Sequence, residues 1–258
     1  MRLINTTTGQ FREFYDTQRP RYAILSHTWG DEELSYLDFL FLNSNLPASS
    51  AGVIQAFLRN PSADSEGSVK VQESCKLARS RGLEWIWVDS CCIDKGSSAE
   101  LSEAINSMWS WYSDAAECYV YLFDVSASPE RSTADGSFCL SSAAEAEFST
   151  ARWFGRGWTL QELLAPREVV FCNNHWDIIA TKAEVGREIS RITRIPLIFL
   201  NGSCSPTDAK LCSVAMKMSW ISRRQTTRTE DMAYCMLGLF DGKLQNVLPS
   251  VTTDMLCL

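Results

Sequence analysis

The chain has 258 residues, 45% hydrophobic and 21% charged, with a formal net charge of −7. That balance suits one large globular domain or two small ones. An acidic chain whose basic runs all stay under five residues, and whose apolar runs are all too short to cross a bilayer, excludes nucleic acid as a partner and a membrane span as an expectation.

In chain order, "RYAILSHTW" (21–29) reads as a buried strand, apolar from Tyr22 to Leu25 and polar from Ser26. "SYLDFLFLN" (35–43) and "GVIQAFL" (52–58) are expected as helices, and "SADSEGS" (62–68) as a polar loop. "VKVQESCKLARSRGL" (69–83) has helical spacing, with Gly82 as its stop. "LEWIWVDS" (83–90) is a second buried strand ending at Asp89. Ser97 and Glu100 form a capping box for a helix whose apolar stripe is Leu101, Ile105, Met108, Trp109 and Tyr112. "CYVYLFDV" (118–125) is a third strand, 129–147 a long polar connection, and "EVVFCN" (168–173) a fourth strand. Three helical stretches fill 180–240, and 241–258 has no pattern. Strands alternating with helices imply an α/β fold with a mostly parallel sheet, helices on both faces, and ligand chemistry at the carboxyl ends of the strands.

The ten cysteines include no Cys-x-x-Cys pair, and no signal-like segment leads the chain, so they are expected as reduced thiols of a cytoplasmic protein. Two histidines, His27 and His175, are too few and too far apart for a zinc site. No resident cofactor is expected.

Several residues carry candidate chemistry, each with a plainer alternative. Gly155 and Gly157 start a glycine pattern, but its third member falls at Leu160, so a tight turn accounts for them as well. Ser26 and His27 can serve a nucleophilic site or cap a strand end. Cys91 and Cys92 can be reactive if a thiol pKa is lowered, or simply buried. Asp89 and Asp94 can face a ligand or cap loops.

Glu162 is the sharpest case, within "RWFGRGWTLQELLAP" (152–166). At about 100° per residue, Leu160 and Leu164 point away from Glu162, and Trp158 lies one turn back on its side. Either Glu162 lies on a solvated face, or it is a carboxylate beside an aromatic wall of Trp153 and Trp158, with Arg156 suited to a phosphate.

"RYAILSHTWG", "LEWIWVDSCCIDKGSSAELSEAINSMWSWYSDAAECYVYLFDV", "RWFGRGWTLQELLAP" and "RTEDMAYCMLGLFD" resemble, in order, the blocks of the fungal heterokaryon-incompatibility (HET) domain over about residues 20–240. The resemblance implies a protein of fungal self/non-self recognition and programmed cell death. It divides the chain into an N-terminal extension (1–19), a HET domain (20–240) and a divergent or truncated tail (241–258). HET domains in turn resemble TIR domains, implying a flavodoxin-like core over about 20–180 and a helical elaboration over about 180–240. "GWTLQELL" is similar to the plant TIR block Trp-Cys-Leu-x-Glu-Leu, with Thr159 in place of the cysteine.

In NAD-cleaving TIR members the glutamate of that block is catalytic, so the resemblance implies Glu162 as the catalytic carboxylate. It implies Ser26, His27, Trp29, Asp89, Cys92, Trp153, Arg156 and Trp158 as substrate-lining residues, with NAD as substrate. Nicotinamide leaves neutral from a cationic ring, so one carboxylate that stabilises an oxocarbenium-like state suffices. The resemblance also implies self-association and partner domains. It leaves open a second reading, a non-enzymatic death-signalling module acting by assembly.

Overall fold

The computed structural model describes residues 1–15, 18–44, 65–127 and 140–242. The expected helix at 52–58, most of the 129–147 connection and nearly all of the 241–258 tail lie outside the described residues. The chain divides into two units: Met1–Leu25 with Trp29–Ala104, and Ser26–Thr28 with the chain from Ile105 on.

The first unit carries β1 (Arg2–Asn5), β2 (Phe11–Glu13), most of β3 (Tyr22–His27), α1 (Tyr36–Ser44), α2 (Glu66–Ser80), β4 (Trp85–Trp87) and α3 (Asp89–Cys92). Its strand order is β2-β1-β4-β3. β3 is buried at all six positions, so its sequence shows a continuous apolar run rather than alternation. It runs parallel to β4, with Tyr22 opposite Trp85 and Ile24 opposite Trp87. β4 ends two residues earlier than the sequence suggests, and Asp89 opens the single turn α3.

β1 pairs antiparallel with both β2 and β4. The sequence reading has no element in residues 1–19, because strands of four and three residues carry too little periodicity to register. Leu3 and Ile4 are nevertheless fully buried.

Local chemistry sets the borders of α2. The Ser65 hydroxyl accepts the Ser68 N–H at its start. At its end, Gly82 takes φ +75°, Gly82 N donates to Arg79 O, and Leu83 N donates to Ala78 O. This is a Schellman closure, and it feeds the chain straight into β4.

α4 (Ser98–Asp114) passes from the first unit into the second at Ala104. Its capping box is half realised. Ser97 accepts the Glu100 N–H, but the Glu100 carboxylate takes the Asp94 N–H and the Arg2 guanidinium instead of reaching back to Ser97.

The second unit continues with β5 (Glu117–Tyr121), α5 (Ser142–Thr150), α6 (Thr159–Leu164), β6 (Val169–Cys172), β7 (Ile178–Thr181), α7 (Gly186–Thr193), α8 (Val214–Ile221) and α9 (Asp231–Tyr234). β5 and β6 are parallel, and β7 is antiparallel to β6. The chain is thus α/β. The four strands expected from sequence form parallel pairs, and the three that sequence did not reveal (β1, β2 and β7) pair antiparallel.

β7 is hidden because its turn uses side chains rather than glycine. Asn173 Oδ1 accepts the N–H groups of His175 and Asp177, while Trp176 sits at φ +64° with its ring stacked on Tyr121. α5 begins within the stretch expected as polar connection and runs three residues past it, started by the Ser141 hydroxyl accepting from Ala144 N. Residues 180–240 alternate helices with short 3₁₀ turns at Leu197–Phe199, Pro206–Leu211 and Gly238–Phe240.

Candidate functional site

The block around Glu162 begins as a 3₁₀ turn, Arg152–Gly155, and becomes α6 after two residues and Trp158. Gly157 is required by close approach. Its N–H donates to Gln225 O at 2.8 Å, Gln225 N donates to Gly155 O at 2.7 Å, and a Cβ on Gly157 would stand 2.5 Å from Thr226 Cγ2. The glycines therefore admit a neighbouring backbone segment.

All six residues of α6 are buried, and Glu162 keeps 9% of its surface. The solvated-face alternative does not hold: a helix this short lies among its neighbours on every side. The Ser26 hydroxyl, at the end of β3, donates to Glu162 Oε2. Ser26 Oγ in turn accepts the Trp153 indole N–H at 2.8 Å. Indole, hydroxyl and carboxylate form one directed chain, with each donor satisfied by the next acceptor. Ser26 and Trp153 are both 1% exposed. The Cys118 thiol of β5 points at Glu162 O, and burial holds that thiol's pKa well above its usual value.

The ends of α6 are tied by two buried cations. Arg224 Nη1 donates to Arg156 O at 3.0 Å and to Thr159 Oγ1 at 2.8 Å. Lys182 Nζ donates to Leu163 O at 3.2 Å and to Pro166 O at 2.5 Å, the carbonyl end where a cation is favourable. Burial lowers Arg224 to about 10 and Lys182 to about 8.

Trp158 stands apart from the carboxylate chain. Its ring packs against Tyr234 and Leu237, and its indole donates to Asp231 Oδ2 at 3.1 Å. Burial raises the Asp231 pKa, partly offset by that hydrogen bond and by the charges of Arg228 and Arg156. Arg156 is half-buried and His27 is 5% exposed, both in this second unit.

The remaining expected residues, Trp29, Asp89 and Cys92, belong to the first unit. There the Trp29 indole donates to Asp89 Oδ2 at 2.8 Å, and Lys95 Nζ sits 3.4 Å from the Trp29 ring centroid. Cys92 is buried and its sulfur accepts the Val88 N–H. Burial pushes Cys91 well above an ordinary thiol, the opposite of what a reactive thiolate needs.

Sequence reasoning missed Arg224, Lys182 and Asp231. The Arg223-Arg224 pair ends an apolar stretch, where two basic residues look like ordinary helix-end charges, and only the buried position of the second sets it apart. Among the described residues no cluster of His, Cys, Asp and Glu suits a metal ion, and no helix is long and apolar enough to cross a membrane. A cavity of about 300 Å³ is lined by Arg167, Lys182, Phe199, Leu200 and Cys204 among others, and includes none of the residues named from sequence.

The profile described as "Heterokaryon incompatibility protein (HET)" matches residues 22–162, from the start of β3 to Glu162 itself. The chain is also 42% identical over 228 residues to the vegetative incompatibility protein HET-E-1 of Podospora anserina, covering 87% of this chain. The chain belongs to the heterokaryon incompatibility family. Within that HET family membership, it spans 15% of the length of its Podospora relative. No solved structure matches it at a significant level. Both the Ser26–Glu162 contact and the Trp153 donor lie inside the matched HET segment.

Proposed function

We propose that this HET domain is a cytoplasmic effector of incompatibility-linked cell death that, when self-associated, cleaves the nicotinamide–ribose bond of NAD, with Glu162 as the carboxylate that meets the ribose. The observation carrying this reading is the buried Trp153–Ser26–Glu162 chain at the carboxyl end of β3. The TIR-like block gives Glu162 its role by resemblance, and the burial supplies the physics. A carboxylate shielded from water stabilises a developing oxocarbenium charge far better than a solvated one.

Substrate meets the Glu162 carboxylate while the Ser26 hydroxyl stays on Oε2. A ribose hydroxyl donates to Glu162 as the C–N bond to nicotinamide lengthens. Nicotinamide departs as a neutral amide carrying the bonding pair, and water adds to the anomeric carbon, losing its proton to Glu162. Ser26 and Trp153 fix the carboxylate. His27, Arg156 and Trp158 are assigned to the rest of the dinucleotide, Arg156 to phosphate.

The experiment is nicotinamide release from NAD by concentrated protein beside Glu162→Gln. Release by the wild type and none by the variant is the expected result. Turnover unchanged in the variant removes Glu162 from its role.

A second reading, assembly without catalysis, is favoured by the apolar residues left open around α8: Leu211 is 84% exposed and Val214 64%. A folded, self-associated sample that releases no nicotinamide selects it.

A further inference from the structure

We infer that Arg224 is a positioning residue for Glu162, acting through the loop that carries Trp153 and through its own buried charge. The inference rests on the reading of Glu162 as the reacting carboxylate, and it concerns a residue to which nothing above gives a chemical role.

Two observations carry it. The first is connectivity. Arg224 Nη1 holds Arg156 O and Thr159 Oγ1. The Thr159 hydroxyl lies 2.7 Å from Trp153 O and 2.9 Å from Arg156 O, and donates to one of them at a time. Trp153 then donates through its indole to Ser26, which donates to Glu162. The backbone beside Arg224 clamps the same loop through the Gly157–Gln225 and Gln225–Gly155 hydrogen bonds. From guanidinium to carboxylate the path is unbroken and wholly within the second unit.

The second is charge. Arg224 is 5% exposed, and among the described residues its Nη2 is buried with no hydrogen-bond partner. Burying a guanidinium with a donor unused is costly, so packing alone is a poor account of it. The groups whose charge bears on it are Glu162 and Cys235. Burial keeps Cys235 protonated by raising it to about 12, and Cys118, the other thiol facing Glu162, is raised as well. Besides Cys235, the group whose charge acts on Arg224 is the Glu162 carboxylate. Arg224 favours its charged form while the hydrogen-bond path fixes its orientation. Electrostatic coupling through a dry interior needs no direct ion pair.

The test compares Arg224→Gln, Arg224→Lys and Thr159→Val, the last leaving the arginine's charge and removing the hydroxyl in the path. Two readouts are used: the pH profile of nicotinamide release with kcat and KM separated, and the ¹⁵N–¹H indole signal of Trp153, identified through Trp153→Phe. In a wild type that turns over NAD, Arg224→Gln is expected to lower kcat about tenfold with KM within about twofold, and to move the acid limb to higher pH. Arg224→Lys restores the limb. Thr159→Val lowers kcat and leaves the limb in place.

A role limited to folding lowers the amplitude equally at every pH by reducing the folded fraction. That result, or an unchanged kcat, overturns the inference. If the wild type releases no nicotinamide, the catalytic reading fails and the indole decides. A Trp153 signal displaced in folded Arg224→Gln and Thr159→Val, with Trp85 and Trp87 unmoved, upholds the path. An undisplaced signal refutes it.

Discussion

At the scale of single residues, Ser26 and Glu162 show how a buried carboxylate is held in place. Ser26→Ala takes the hydroxyl from the buried Glu162 carboxylate and leaves the Trp153 indole N–H without its acceptor, at a cost of about 1–3 kcal/mol in unfolding free energy measured in urea. Glu162→Gln is gentler on the fold, since an amide oxygen still accepts from Ser26, and is expected to keep most of the stability while losing nicotinamide release. Gly157→Ala tests the close approach of residues 225–226. A Cβ 2.5 Å from Thr226 Cγ2 is expected to cost about 1–3 kcal/mol, and Thr226→Ser, which removes that methyl and keeps the hydroxyl on Arg228 O, should recover much of it in a double-mutant cycle.

At the scale of elements, α6 is held at both ends by side chains from elsewhere in the second unit, and Lys182 gives this a pH signature. Burial lowers its pKa from 10.5 to about 8. Below about 8 the folded chain must keep a buried ammonium. Between about 8 and 10.5 the unfolded chain binds more protons than the folded one, so this residue's contribution to stability rises with pH. Lys182→Met should therefore compare best with wild type near neutral pH and lose ground as pH climbs through that window. The difference should change by at most about 1.4 kcal/mol per pH unit, read from urea midpoints.

The same element shows what sequence could convey. β3, β4, β5 and β6 were legible because continuous apolar runs of four or more residues leave few alternatives. The Trp158–Glu162 block was legible as a block. That Trp153 rather than Trp158 joins Glu162 was not, because the link runs through Ser26, 136 residues from Glu162. Arg224 and Thr159 are 65 residues apart, so no local pattern announces them as partners.

At the scale of the whole molecule, the thiols set the alkaline limit. Among the described residues Cys75, Cys91, Cys92, Cys118, Cys172 and Cys235 are buried and outside any disulfide, while Cys204 and Cys212 are partly open. Burial raises Cys75 and Cys235 to about 12, and lifts Cys91 and Cys118 well above an ordinary thiol. Their contribution is complete below about 9, the thiol value in an unfolded chain. It is lost as pH rises toward the folded values, because unfolding then releases protons at about 1.4 kcal/mol per thiol per pH unit. Stability should fall steeply above about pH 9, and a Cys75→Ala variant should show a shallower fall. Native alkylation followed by mass mapping should label Cys204 and Cys212 before any of the other six; prior labelling of Cys91 or Cys92 would contradict their burial.

The turn between β6 and β7 has a consequence in time. A tryptophan at φ +64° is disfavoured by its own backbone by about 1–3 kcal/mol, so the hairpin cannot be started by its turn. The turn becomes favourable only when Trp176 finds the Tyr121 ring, 4.6 Å away and nearly parallel at 15°, on a strand some fifty residues earlier. β5 must then be in place before β6 and β7 close. Substituting Trp176 should speed unfolding while leaving the folding rate nearly unchanged, the behaviour of a contact made after the rate-limiting step.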